Sequence, residues 1–184
     1  MRIVVTGNIG CGKSTVCQAL LDHLPGYTLF SIDDLARELY QHEDYVRQLK
    51  AWFGTADRKA VARCVFGDAA KREAIEALSI QILGPIVDEV FSRERVIVEF
   101  PLFYEKPQWV DRADFVLALG CAPDIQWARV QARDGLSREA FERVVAAQLP
   151  TAEKQARADA FIDTGRALPS VLAEVAALAD RLRA

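Results

Sequence analysis

The sequence contains no apolar run that approaches the ~20 residues needed for a membrane-spanning helix. Its first residues resemble a strand, and they show neither the charged region nor the apolar stretch of a secretory signal peptide. Both features that would direct a chain to or across a membrane are therefore absent. We expect a cytoplasmic protein with no membrane partner.

Cysteine is also scarce. The four cysteines, Cys11, Cys17, Cys64 and Cys121, show neither a C-x-x-C pair nor the spacing of a metal site. A chain of 184 residues with 51% hydrophobic content can form one well-packed core without disulfides. We expect reduced and mostly buried thiols, with Cys11 as the one candidate for a reactive side chain.

Neither sign of charge is in large excess. The 23 Lys and Arg residues and the 26 Asp and Glu residues leave a formal net charge of -3. This balance gives no general attraction to nucleic acid or to anionic membranes, although a local basic cleft can still bind phosphates. The two histidines, His23 and His42, lack partners at metal-ligand spacing, so we expect them at the surface. The composition favours a small-molecule ligand.

The most informative segment that is present is the pattern G-x-x-x-x-G-K-[ST], directly after the apolar run of residues 1–6. Its position between a strand and a helix is the context expected for a phosphate-binding P-loop. Backbone N–H groups of such a loop surround an anion, and the positive end of the following helix dipole favours it further. The predicted phosphate-binding residues are Gly7, Asn8, Ile9, Gly10, Cys11, Gly12, Lys13, Ser14 and Thr15.

Two side chains of this loop have chemical roles of their own. Lys13 supplies a mobile positive charge for the phosphates and is a predicted catalytic residue. The hydroxyl of Ser14 is placed to ligate Mg²⁺. The loop therefore predicts a nucleotide phosphate bound together with Mg²⁺.

Apolar segments alternate along the chain with segments of helical periodicity. This alternation is typical of an α/β fold in which helices cover both faces of a parallel sheet. Five strands are predicted at residues 2–6, 27–32, 95–100, 114–119 and 160–162. Helices are predicted at residues 13–24, 33–41, 45–53, 69–92 with a kink near Pro85, 124–133, 138–149 and 169–183. Ligands of such sheets bind beyond the carboxyl ends of the strands, so residues just after each strand are the functional candidates.

Asp33, Asp34 and Arg37 follow the second predicted strand. A carboxylate at a helix start is often only a cap or a dipole partner. Here it can also accept the proton of an attacking hydroxyl, while Arg37, one turn later, can bind a phosphate of the acceptor. We favour Asp33 over Asp34 as the base, and we assign Asp33 and Arg37 to substrate binding.

Glu99 ends the third predicted strand, which is otherwise apolar. A charge at this place needs a partner, and a water bound to Mg²⁺ is a natural one, although a salt bridge is the alternative. The segment that follows contains further candidates for acceptor contacts, with the hydrophobic core as the alternative for its aromatic rings. These candidates are Pro101, Phe103 and, more weakly, Glu105.

Four arginines flank the glycine turn at residues 134–137. Arg129 and Arg133 are four residues apart and share a helix face, whereas Arg138 and Arg143 lie on the next helix, for which Ser137 is a predicted N-cap. Single exposed arginines usually belong to the solvated surface. A cluster around a glycine turn favours a lid that closes over a triphosphate and stabilises the transition state.

These residues together carry a resemblance to the dephospho-CoA kinases. The segments occur in the order found in that family: 7–15, Asp33 with Ala36 and Arg37, 65–66, 101–105, Arg129 to Gly135, Gln148, and 158–163. The resemblance implies a P-loop NTPase fold with a helical acceptor-binding region and a lid. It also implies phosphorylation of the ribose 3′-hydroxyl of dephospho-CoA with ATP and Mg²⁺.

By the same resemblance, Asp33 takes the place of the family's catalytic aspartate and Arg37 that of an acceptor-phosphate contact. Arg133 and Arg138 take the places of the ATP-side lid arginines, which we count as catalytic candidates; Arg129 joins Arg133 as a candidate ATP contact. The sequence departs from the family at several points. Ser31 replaces the first residue of Asp-x-Asp, Gly84 replaces the histidine of His-Pro, Thr164 replaces the asparagine of Asn-Gly, and the segment after Gly54 is shortened.

The sequence thus predicts one P-loop kinase domain over residues 1–184, with a helical acceptor-binding insertion at 42–92 and a lid at 133–150. Dephospho-CoA is the leading acceptor. Another open acceptor class is a nucleotide, a nucleoside or a modified pyrimidine hydroxyl, free or in DNA. A nucleotide-gated switch remains a third hypothesis, disfavoured because the sequence has no guanine-binding Asn-Lys-x-Asp motif.

Overall fold

Five parallel strands form a sheet in the computed structural model of the protein, which describes residues 1–65 and 67–183. The strands are β1 Arg2–Gly7, β2 Thr28–Ser31, β3 Val96–Glu99, β4 Phe115–Gly120 and β5 Ala160–Asp163. Their order across the sheet is β2-β3-β1-β4-β5. All five predicted strands are confirmed. Phe66, which belongs to the family resemblance, and Ala184 lie outside the described residues.

Helices follow or precede every strand. They are α1 Lys13–His23, α2 Ile32–Glu38, α3 Glu43–Phe53, α4 Arg58–Val65, α5 Ala69–Ser92, α6 Pro107–Val110, α7 Pro123–Asp134, α8 Arg138–Ala146, α9 Thr151–Arg157 and α10 Leu168–Arg183, with a 3₁₀ turn at Leu39–Gln41. Three helices were not predicted from the sequence: α4, α6 and α9, which have 8, 4 and 7 residues. Segments this short carry too little periodicity to show an amphipathic pattern.

The eighth helix ends earlier than predicted. Its last residue is Ala146 instead of Leu149, because the N–H of Leu149 donates to the carboxylate of Glu105 and leaves the helical hydrogen-bond pattern. The predicted N-cap is confirmed, since the hydroxyl of Ser137 accepts from the N–H of Ala140 at 3.2 Å. His23 and His42 are both exposed, as expected.

The chain divides into two compact units. The first comprises Met1–Ser31 with Arg93–Ala184 and contains the sheet; the second is Ile32–Ser92 and contains α2 to α5. The predicted acceptor-binding insertion lies inside the second unit, which begins at Ile32. The mobile lid and the single-domain organisation stay predictions. No helix in the described ranges is long and apolar enough to cross a bilayer.

Both faces of the sheet are covered. Ile3 and Val5 belong to a core cluster that includes residues of α1 and α10. Val4, whose side chain points to the opposite face, is also fully buried. A strand buried on both faces reads as a continuous apolar run, which is why β1 is visible in the sequence.

An ion pair joins the first residue of β1, Arg2, to Asp114, the residue just before β4. The backbone N–H and the guanidinium of Arg2 donate to the carboxylate of Asp114 at 2.5 to 3.0 Å. These hydrogen bonds hold the pKa of Asp114 at about 2, below its ordinary value. Because the folded pKa lies below the unfolded one, the pair stabilises the protein above about pH 4, and this contribution is lost as the pH falls toward the folded pKa.

We expect Asp114→Asn to lower the unfolding free energy at neutral pH by at most about 1 kcal/mol, since both partners are partly exposed to solvent. The difference from the unsubstituted protein should shrink as the pH falls below about 4. Urea unfolding across this pH range measures the effect, and Asp111→Asn, at an exposed aspartate nearby, is the matched control. A difference that stays constant into acid would contradict the assignment.

Candidate active site

The P-loop connects β1 to α1 and lies tightly against the start of α7. Gly10 has a φ of +77°, and a Cβ at this residue would lie 2.7 Å from the carbonyl oxygen of Gln126. A side chain at this position would therefore be excluded both by backbone conformation and by contact with α7. The predicted strand, loop and helix sequence is confirmed around the motif.

Lys13 is the first residue of α1, and its ammonium group turns back over the loop. Its side-chain Nζ donates to the carbonyl oxygen of Asn8 at 3.2 Å, and the residue is only 8% exposed. A backbone carbonyl of the loop thus holds the ammonium group of Lys13 beside the P-loop. In this position the charge is available to phosphate oxygens bound by the loop N–H groups.

Ser14 and Glu99 meet at the carboxyl end of the sheet. The Ser14 hydroxyl donates to Oε1 of Glu99 at 3.0 Å, and Glu99 is a buried residue at the end of β3. Hydroxyl and carboxylate oxygens are suitable donors for Mg²⁺, which keeps several waters and needs only one or two protein ligands beside phosphate. The donor set therefore fits the ion, although the described residues include no cluster of three acidic or metal-ligating side chains.

A cavity of about 290 Å³ opens above the P-loop. It is lined by Gly10, Gly12, Lys13, Ser14, Thr15, Glu99, Arg129 and Arg133. The structure thus brings together residues that the sequence proposed separately, from the loop, the third strand and the seventh helix. The cavity combines backbone N–H groups, three cationic side chains and one carboxylate. These groups are the ones that a binding site for a nucleoside triphosphate requires.

Arg129 is fixed in this cavity by the chain around it. Its guanidinium donates to the carbonyl oxygens of Thr164 at 2.8 Å and Gly10 at 3.3 Å. The Thr164 hydroxyl in turn donates to the carbonyl oxygen of Cys11 at 3.0 Å. Thr164 is 4% exposed, and it connects the loop after β5 to the P-loop. Sequence spacing gave no sign of this connection.

The two lid arginines differ in their surroundings. Arg133 lines the cavity and forms two hydrogen bonds of 2.7 Å to Asp134. Arg138 does not line it: its guanidinium pairs with Glu142 at 2.9 Å and lies 5.4 Å from the ring centre of Trp127. The catalytic roles of both residues stay predictions.

A second cavity, of about 320 Å³, lies within the second unit. Its walls are Asp33, Ala36, Arg37, Leu39, Tyr40, Tyr45, Arg58 and Ser79. Both predicted acceptor residues of this segment are among them, whereas Asp34 pairs with Arg37 at 2.5 Å. Sequence reasoning missed Arg58, Tyr40 and Tyr45, because they come from separate helical segments and share no motif.

The segment after β3 requires one correction. Phe103 is fully buried and packs against Phe100 and Tyr104, with ring centres 5.6 and 5.3 Å apart. A side chain without exposed surface offers no contact to an acceptor, so Phe103 belongs to the hydrophobic core. This is the alternative that the sequence left open for the aromatic rings of this segment. Contacts of Pro101 and Glu105 with the acceptor stay predictions.

Glu105 forms an ion pair with a buried lysine in this structure. Lys154 is fully buried, and its Nζ donates to the carbonyl oxygen of Pro101 at 2.7 Å and to Oε1 of Glu105 at 3.0 Å. Burial lowers the pKa of Lys154, and the bond to Glu105 opposes that shift. On the same segment, Oε1 of Gln148 accepts the P-loop N–H of Ile9 at 3.0 Å. The bonds of Lys154 anchor the chain after α8 to the segment after β3, and the bond of Gln148 anchors it to the P-loop.

Removing Glu105 and removing Lys154 should lower the unfolding free energy of the protein by different amounts. We expect Glu105→Ala to cost about 3 kcal/mol, because it leaves the charge of Lys154 buried without a carboxylate. Lys154→Met should cost less, because Glu105 keeps 17% of its side chain exposed and retains the N–H of Leu149. Urea unfolding of both variants measures the order. The reverse order would show that the lysine is the less costly charge to leave unpaired.

Comparison with known proteins agrees with this site. A family model for dephospho-CoA kinase matches residues 1–169. A dephospho-CoA kinase of Thermus thermophilus is 36% identical, covering 94% of this chain and 91% of its own, and one of Agrobacterium fabrum is 30% identical, covering 100% of both. A crystal structure of a Thermus thermophilus protein superimposes with a TM-score of 0.83 at 33% identity, covering 100% of this chain and 96% of the other.

More distant solved structures show the fold alone. A shikimate kinase of Bacteroides thetaiotaomicron has a TM-score of 0.61 at 19% identity, covering 100% of this chain and 99% of its own. The parallel sheet, the P-loop and the surrounding helices therefore form a P-loop NTPase fold, as predicted. Together with the family match over most of its length, they show that this chain belongs to the dephospho-CoA kinase family.

Proposed function

We propose that the protein transfers the γ-phosphoryl group of ATP to the 3′-hydroxyl of dephospho-CoA and so produces CoA. Membership of the family makes the chain an ATP-dependent kinase. The observation that carries the proposal is the cavity that gathers Lys13, Ser14, Glu99, Arg129 and Arg133 around the P-loop. The identity of the acceptor is inferred from the relatives named above, which are dephospho-CoA kinases.

On the donor side, the protein contributes position and charge. The loop N–H groups would hold the β- and γ-phosphates, and Lys13, which rests on the carbonyl of Asn8, would neutralise charge that spreads over the transferred group. Arg129 and Arg133 would add positive charge from α7. Preorganised donors of this kind stabilise the transition state more than the substrate, because they face charge that develops during transfer.

Ser14 and Glu99 are the residues that would hold Mg²⁺, Glu99 through a bound water. The ion would neutralise phosphate charge when ATP is bound. The hydrogen bond between the two side chains supports this assignment, since it keeps the hydroxyl and the carboxylate oriented together at the mouth of the loop.

On the acceptor side, Asp33 would accept the proton of the attacking 3′-hydroxyl as the oxygen bonds to the γ-phosphorus and ADP leaves. Arg37 and Arg58 line the same cavity as Asp33 and would bind phosphate groups of the acceptor. The two tyrosines in the cavity wall, Tyr40 and Tyr45, offer ring faces and hydroxyls beside these charges. Asp33 lines this cavity and Asp34 is engaged by Arg37, which supports the choice of Asp33 as base.

A panel of acceptors tests the proposal. Dephospho-CoA, deoxynucleotides, nucleosides and hydroxymethylated pyrimidines are each incubated with ATP and Mg²⁺, and products are identified by mass spectrometry. We expect dephospho-CoA to be phosphorylated on its 3′-hydroxyl with kcat/KM above ~10⁴ M⁻¹s⁻¹. Much slower turnover of dephospho-CoA beside efficient use of a nucleotide-like acceptor would assign the alternative substrate class. ATP binding without transfer to any acceptor would favour the nucleotide-gated switch.

A further inference from the structure

Thr164 lies at the carboxyl end of the sheet, where it joins three segments of the first unit. Its hydroxyl can donate to the carbonyl oxygen of Cys11 in the P-loop at 3.0 Å or to that of Gly120, the last residue of β4, at 3.1 Å. Its backbone N–H donates to the same Gly120 oxygen at 2.8 Å. Because Thr164 directly follows β5, one residue connects the ends of β4 and β5 to the loop after β1.

Cys11 takes part in this contact through its backbone. Its side chain is fully buried, so the thiol is inaccessible to reagents in solvent and the expectation of a reactive Cys11 is wrong. Cys17 is buried as well, whereas Cys64 is exposed and Cys121 partly exposed. Half of the thiols are therefore buried, fewer than expected. What Cys11 offers to the site is the carbonyl that accepts from Thr164.

Arg129 reaches the same two loops from α7. Its guanidinium donates to the backbone carbonyl of Thr164 at 2.8 Å and to that of Gly10 at 3.3 Å, and it lines the nucleotide cavity. Thr164 and Arg129 thus form two separate connections between the loop after β5 and residues 10–11 of the P-loop. A displacement of Thr164 carries with it the carbonyl to which Arg129 donates, so the place of this positive charge depends on Thr164.

The side chain of Thr164 is polar although it is buried. The residue is 4% exposed, and a valine would fill nearly the same space without a polar atom. Burial of a hydroxyl costs free energy unless the group is hydrogen-bonded, and the two backbone carbonyls within its reach meet this requirement. What the hydroxyl adds beyond the packing of a valine is therefore the link to the P-loop.

We propose that Thr164 is a positioning residue for phosphoryl transfer, whose hydroxyl fixes the P-loop and the guanidinium of Arg129 relative to each other. This inference rests on the proposed function, in which the loop N–H groups and Arg129 bind the phosphates of ATP. Among the described residues, those that line the nucleotide cavity do not include Thr164, so it acts through its neighbours. Preorganised donors stabilise the transition state only while their geometry is kept, and a displacement of ~1 Å can lower the rate by on the order of 10²-fold.

Substitutions at Thr164 separate positioning from packing. We expect Thr164→Val to lower kcat by about tenfold or more. KM for the acceptor should stay close to unchanged, because the acceptor cavity belongs to the second unit. Thr164→Ser keeps the hydroxyl and should recover most of kcat, and Thr28→Val, at an exposed threonine of β2 in the first unit, is the matched control without effect. An unchanged kcat in folded Thr164→Val, even with a lower unfolding temperature, would overturn the proposal; if this variant does not fold, Thr164→Ala takes its place.

A double-mutant cycle on ATP binding tests the action through Arg129 without any acceptor. We expect Thr164→Val to raise the dissociation constant of ATP about fivefold when Arg129 is present and less than about twofold in Arg129→Ala, because the effects of coupled residues are not additive. Equal effects in both backgrounds would contradict this action. Calorimetric titration with ATP measures both constants. Failure of the unsubstituted protein to phosphorylate dephospho-CoA would contradict the proposed function, whereas an additive cycle would contradict only the role of Thr164.

Discussion

Lys13→Ala is expected to lower kcat for phosphoryl transfer by on the order of 10³-fold. The substitution removes the ammonium group that rests on the carbonyl of Asn8 at the mouth of the cavity. In phosphoryl transfer the protein contributes mainly position and charge stabilisation, so the loss of the one lysine among the three cations of the cavity should slow the reaction strongly. Initial rates with saturating ATP and acceptor measure the loss.

The comparison with a second lysine isolates this effect. Lys50→Ala changes an exposed lysine of α3 in the second unit and should leave the rate unchanged. Circular dichroism and thermal unfolding of the Lys13 variant should show a folded protein, because the backbone N–H groups and helix α1 remain. Full activity of purified Lys13→Ala would refute the assignment of the P-loop as the catalytic phosphate site.

Asp33→Asn is expected to reduce kcat by on the order of 10²-fold or more, with the affinity for ATP close to unchanged. The amide keeps the size of the carboxylate but cannot accept the proton of the acceptor hydroxyl. ATP affinity should be preserved because the residues that line the P-loop cavity all belong to the first unit, whereas Asp33 belongs to the second. Steady-state kinetics with varied acceptor, and titration with ATP alone, separate the two quantities.

The neighbouring carboxylate provides the matched control. Asp34→Asn weakens the ion pair with Arg37 and should raise KM for the acceptor by only a few fold while kcat stays nearly the same. If the Asp34 variant loses kcat and the Asp33 variant does not, the base is Asp34 and the assignment is shifted by one residue. The two variants together therefore identify the proton acceptor.

Local sequence was sufficient to predict the P-loop of this protein. The P-loop residues are consecutive, and their spacing after an apolar strand specifies loop, helix and lysine without knowledge of any other segment. The strands β1, β3 and β4 were equally visible, because burial on both faces leaves a continuous apolar run such as residues 3–5. Short helices such as α6 escaped prediction, since four residues carry no periodicity.

Tertiary structure decided which distant residues share a site. Glu99 and Arg129 meet at the P-loop cavity because β1 pairs with β3 and with β4, a register that long-range packing sets. Phe103 and Glu105 are two residues apart, yet one is core and the other holds a buried lysine. Residue type and spacing do not encode this difference, because exposure and neighbouring charge arise from the folded environment.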